Sequence, residues 1–174
     1  MKPLENWDMI NEAGEFKRLP AGPQLVKFTT IVDVPANEYL EVYCDVAKGE
    51  YTGYFKQLVD AGLKDSSRTI RSYKVNAIPF FKAFITAVEK TNPGYNWDWD
   101  EQKLVGKYAV AVFGEEEYLD KDGEVKIATR INEFRSVDAW KEGKIKIPEL
   151  KKLPVEEKPL QDPAPSLNLD ELPF

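Results

Sequence analysis

Between residues 39 and 46 the chain alternates without a fault. Leu40, Val42, Cys44 and Val46 occupy one phase, and Tyr39, Glu41, Tyr43 and Asp45 the other. Successive side chains of an extended strand point to opposite faces, so the run predicts a strand with one face in a core and the other open to water or a ligand. Such a strand has two unpaired edges and needs a neighbour on each. "LVKFTTIVDV" (25–34) supplies one, with Val26, Phe28, Thr30 and Val32 alternating against Leu25, Lys27, Thr29 and Ile31 after the punctuation Leu19-Pro20-Ala21-Gly22-Pro23. "EYTGYF" (50–55) is expected to supply the third strand, with Gly53 marking a bulge or a close backbone approach.

The period then changes. Residues 56–74 show none and read as a loop, with one helical turn near "FKQLVDAG". Over 77–90 the apolar residues Ile78, Phe81, Phe84, Ile85 and Val88 recur every three or four positions, which predicts a helix with Asn76 as its cap and Pro79 in its first turn. Trp97 and Trp99 are expected to pack under its end. "LVGKYAVAVFG" (104–114) is a nearly continuous apolar run that suits a strand buried on both faces. Asp122-Gly123 then folds 118–134 into a hairpin whose second arm sets Lys126, Arg130, Asn132 and Phe134 opposite Val125, Ile127 and Ile131. Three strands, a helix and two strands form the layout of a mainly β, five-stranded OB-like barrel with its helix between strands 3 and 4; a layered α+β sandwich is the alternative.

The length of 174 residues accommodates one domain, taken as 1–150, and from Pro148 onward repeated prolines predict a disordered acidic tail over 151–174. The single cysteine excludes a disulfide framework, and no leader-like or membrane-spanning apolar run is visible, so a soluble cytoplasmic protein is expected. No enzyme is expected. The chain has no histidine, its serines at 66 and 67 lack a neighbouring base, Cys44 falls in the core phase, and no phosphate-binding glycine loop occurs. The acids Asp98, Asp100, Glu101 and 115–117 are the nearest approach to a metal-dependent nuclease, a poor third reading, and no cofactor or metal is expected.

The net charge of −6 is unevenly spread: residues 1–153 carry 23 basic and 25 acidic side chains, whereas 154–174 carry five acids against Lys158. Lys56, Lys64, Arg68, Arg71 and Lys74 cluster in the stretch read as a loop. Single-stranded nucleic acid needs cations for its phosphates and flat rings for its bases. The rings expected to serve are Tyr39, Tyr43, Tyr51, Tyr54 and Phe134, with Lys126 and Arg130 beside the last. Filling a small barrel is the competing role for each ring.

The last five residues, Asp170, Glu171, Leu172, Pro173 and Phe174, resemble the acidic tip of bacterial single-stranded DNA-binding proteins. That resemblance implies recruitment of replication or recombination enzymes, the phenylalanine filling an apolar pocket and the acids meeting a basic rim. Only two acids stand near the tip, and the linker lacks the Gly/Gln-rich composition often found in that family. The stretches "EYLEVYCDVAKGEYTGYF", "IPFFKAFITAVEKTNPGYNWDWDE", "LVGKYAVAVFGEEEY" and "IPELKKL" are similar to a family of proteins encoded in replication modules of phages infecting Gram-positive bacteria. This resemblance implies an OB-like single-strand binder of phage replication or recombination, acting in the host cytoplasm. A homo-oligomer is compatible with it. An adaptor that recruits partners without touching DNA is the alternative function.

Overall fold

The computed structural model describes residues 1–3 and 17–154, so the N-terminal lead from 4 to 16 and all but the first four residues of the expected tail, its five-residue tip included, lie outside the described residues. Five strands form one antiparallel sheet: β1 Gly22–Val34, β2 Tyr39–Val46, β3 Thr69–Ser72, β4 Tyr108–Leu119 and β5 Val125–Arg135. Their order is β3-β2-β1-β4-β5, and the sheet curls into a nearly closed barrel with α2, Ile78–Thr91, inserted between β3 and β4. A single sheet around one core replaces the layered sandwich alternative. Two short helices complete the body, α1 Tyr54–Asp60 and α3 Val137–Lys141. No helix among the described residues is long and apolar enough to cross a membrane.

β2 has the phase its alternation demands, with Leu40, Val42, Cys44 and Val46 all buried. Burial drives the Cys44 thiol far above its ordinary pKa, so it packs as a small apolar side chain. β4 is buried on both faces from Ala109 to Phe113, as its unbroken apolar run predicts. Lys151 extends that sheet by exchanging backbone hydrogen bonds with Glu115 and Glu117 beyond the end of β1. The apolar face of α2 seals the barrel through Phe84, Ile85 and Val88. There Phe28, Phe84 and Phe134 form a triangle of rings with centroids 5.2 to 5.8 Å apart. The cap at α2 differs from expectation: Asn76 lies in a 3-10 turn, Val75–Ala77, and Ala77 precedes the helix.

The third strand is displaced from its expected place. "EYTGYF" is a turn running into α1, because Gly49 and Gly53 adopt left-handed φ values of 96° and 71° that end the extended path after Val46. Asp45 of β2 then holds the start of α1: its Oδ1 accepts from the backbone N–H of Phe55 and its Oδ2 from that of Lys56. The true third strand lies inside the stretch read as a loop. Its inward side chains are Thr69 and Arg71, so no apolar alternation announces it.

Two bulges reverse the phase of strands in midcourse. In β1 the pairing passes from Phe28 opposite Cys44 to Thr30 opposite Tyr43, so Thr29 is extra and Ile31 turns into the core. In β5 it passes from Ile131 opposite Phe113 to Glu133 opposite Val112, leaving Asn132 extra. Asn132 folds over Gly114, where a Cβ would clash with its side-chain amide. The second bulge carries Phe134 to the core side.

Candidate functional site

The outer face of β1, β2 and β3 is the open side of the sheet. β2 presents Tyr39, Glu41, Tyr43 and Asp45 there, flanked by Thr30, Val32 and Val34 of β1 and by Ile70 and Ser72 of β3. Tyr39 and Tyr43 are half-buried against the sheet, with Val32 and Ile70 exposed beside them. The Tyr43 hydroxyl donates to Glu41 Oε2 at 3.2 Å, and Arg68 Nη2 lies 2.5 Å from Glu41 Oε1. The bond from Arg68 holds the Glu41 carboxyl below the usual carboxylate range, while partial burial and then Glu41 raise the Tyr43 phenol. The surface therefore combines two rings, two aliphatic side chains and one locally neutralised ion pair.

The other residues expected to bind DNA disperse. Tyr51 and Tyr54 pack edge to face and lean on the core, the role that competed with stacking on bases. Phe134 is a correction to the sequence reading: at 4% exposure it is a core ring, because the bulge at Asn132 turned it away from Lys126 and Arg130. The basic residues form no single patch. Lys56 pairs with Asp60 one turn along α1, Lys126 with Asp120 and Arg130 with Glu116. Lys64 and Lys74 are exposed and have no acidic partner among the described residues. Arg71 points inward, against the Phe134 ring.

The acidic residues weighed for a metal serve other purposes. Asp98 pairs with Lys103, Asp100 Oδ1 caps the 3-10 turn Glu101–Leu104, Glu115 meets Arg18 at 2.5 Å, and Glu117 Oε2 accepts the Leu153 N–H. Among the described residues no three of Asp, Glu and Cys gather as a metal would require.

Two features escaped the sequence reading. Trp99 was expected to pack, yet it is 82% exposed and has a left-handed φ of 68°; Trp97 alone joins the packed layer. A groove of about 880 Å³ also opens between α2, β5 and α3, walled by Phe80, Lys82 and Lys90 of α2 and reaching Arg71 at the edge of β3. Phe80 lies four residues before Phe84, the spacing of the buried helix face, so nothing in the sequence marks its exposure in the first turn of α2. A scan against protein-family models finds no match to this chain, and a search of curated proteins finds none either.

Proposed function

We propose that the protein is a single-stranded DNA-binding protein of OB-fold type, acting in phage replication or recombination in the host cytoplasm. It protects the strand and recruits partner enzymes through Asp170, Glu171, Leu172, Pro173 and Phe174. The observation that carries the reading is the outer sheet face, where Tyr39 and Tyr43 stand four residues apart on one strand, with Glu41 between them, beside exposed Val32 and Ile70. Rings spaced along a strand offer successive bases a stacking surface irrespective of sequence. In barrels with this strand order and helix placement, the face of strands 2 and 3 is the usual seat of an oligonucleotide.

The ion pairs on this side are no barrier to a phosphate. A solvent-screened pair contributes little, so a strand can draw Arg68 from Glu41 at little cost. Tyr39→Ala with Tyr43→Ala is expected to weaken binding of a fluorescent poly-dT oligonucleotide at least tenfold, with unchanged thermal unfolding. Equal affinity in that variant would remove the sheet face from the account.

One observation favours the second reading, an adaptor that touches no DNA: Lys56, Arg68, Lys126 and Arg130 already have carboxylate partners. Capture of a partner enzyme by the full chain, without oligonucleotide binding at low salt, would establish the adaptor instead.

A further inference from the structure

The outer sheet face offers rings but few uncommitted cations, whereas the groove between α2, β5 and α3 offers both. Among the described residues Arg71, Lys82 and Lys90 make no ion pair, while Arg135 is matched by Glu133 and Lys144 by Glu142. Asp138 is the remaining acid on the groove wall, so three cations face one carboxylate. Lys82, Thr86 and Lys90 recur every fourth residue on one side of α2, which places the two amines about 12 Å apart along the helix. Ala83 and Ala87 leave the wall between them low. Phe80 stands on the lip, 77% exposed, with its ring uncovered.

The groove adjoins the sheet face through β3, one of the two edge strands of the barrel. Ile70 of that strand looks onto the outer face, and the next residue, Arg71, lines the groove. The Nε of Arg71 is buried and has no hydrogen-bond partner among the described residues. A buried donor without an acceptor beside a cationic channel matches the chemistry of an arriving phosphate oxygen.

We propose that this groove is a second nucleic-acid subsite, in which Lys82, Lys90 and Arg71 hold phosphates of a single strand while Phe80 stacks on a base, the strand passing from the outer face around the edge of β3. The inference rests on the single-strand-binding reading and extends it. Its occupant is the phosphodiester chain, because exposed ring and spaced cations together suit alternating bases and phosphates.

The test is a salt series of fluorescence anisotropy with labelled poly-dT, comparing the full chain with Lys82→Gln/Lys90→Gln and with Phe80→Ala. Both lysines and Phe80 are exposed, so a thermal melt serves as the folding control. Loss of two phosphate contacts is expected to reduce the steepness of log affinity against log salt by about 1.4, and loss of the Phe80 ring to weaken binding about tenfold. Wild-type affinity and slope in both variants would overturn the groove while leaving the sheet-face reading intact. Absence of strand binding by the wild type would overturn both. Binding of a polyglutamate peptide that needs Lys82 and Lys90, without strand binding, would assign the groove to an acidic protein segment instead.

Discussion

The guanidinium of Arg71 lies 4.8 Å from the centre of the Phe134 ring, across the seam where β3 and β5 face each other without a hydrogen-bond ladder. A side chain thus bridges the gap that a strand pairing would otherwise close. Arg71 reaches Thr69 Oγ1 at 3.1 Å and the Asn132 carbonyl at 3.5 Å, and burial lowers its pKa to about 10. The cation–π contact offsets part of the desolvation, by about 2 kcal/mol for a buried pair. The two hydrogen bonds offset a further part, but no carboxylate pairs with Arg71 among the described residues and its Nε has no partner there.

Arg71→Met is therefore expected to leave stability unchanged or raise it by about 1 kcal/mol, because an apolar side chain of similar length fills the seam without a buried charge. The same variant is expected to bind poly-dT more weakly. Urea unfolding measures the first quantity and anisotropy the second. A loss of stability beyond about 1 kcal/mol would mean that the guanidinium itself holds the seam together.

Trp99 is fixed in a left-handed conformation by its neighbours. The backbone N–H of Trp97 donates to Glu89 Oε1 at 2.8 Å, Asp98 pairs with Lys103, and Asp100 Oδ1 accepts from the backbone N–H of Gln102 at 3.1 Å. A side chain in this region costs roughly 1–2 kcal/mol, which glycine does not incur. Trp99→Gly is expected to be about 1 kcal/mol more stable than Trp99→Ala in chemical denaturation. Equal stabilities would show that the backbone at 99 is unstrained.

Tyr95 makes the fold sensitive to alkali. Its hydroxyl is buried without a hydrogen-bond partner among the described residues, and its pKa is pushed up to about 12, first by burial and then by Asp98, Glu89 and Asp100. A phenol that ionises more readily in the unfolded chain contributes stability below pH 10 and loses it as pH rises from 10 towards 12. Arg71, with its lowered pKa, acts in the opposite sense over that interval, so the two effects must be separated by substitution. Tyr95→Phe is expected to match or exceed wild-type stability at pH 9 and to exceed it by more at pH 11. A constant difference between the two pH values would contradict the assignment.

Asp45 caps α1 from the adjacent strand, with its carboxylate accepting the Val46, Phe55 and Lys56 N–H groups at 2.8 to 3.0 Å. Asp45→Ala is expected to cost about 1–2 kcal/mol in thermal or urea unfolding, the range for losing a helix cap. A cost below about 0.3 kcal/mol would indicate that α1 holds its place by the burial of Phe55 alone.

The legible parts of the fold were those in which one residue type followed one geometric period. β2, the buried run of β4 and the apolar face of α2 obey that condition, and Asp122-Gly123 marks its hairpin turn. β3 was hidden because its inward positions are Thr69 and Arg71, filling a seam instead of an oily interior. Phe134 was misplaced because a bulge shifts phase by one residue, and nothing local in "RINEF" distinguishes Asn132 as the extra one; the reason lies across the ladder at Gly114. The basic run between 56 and 74 looked like a patch because its residues are close in sequence. The fold sends Lys56 to α1, Arg68 to the outer face and Arg71 to the seam. The cations of the groove come from α2, β3, β5 and the segment after α3, a convergence that only the folded chain creates.

The most direct measurement is the affinity of the full chain for a labelled poly-dT oligonucleotide across a series of salt concentrations. Phosphate neutralisation predicts a straight fall of log affinity with log salt, with a slope of about −0.7 for every phosphate engaged. Failure to bind the oligonucleotide at low salt would contradict the account and leave the protein an adaptor without a nucleic-acid ligand.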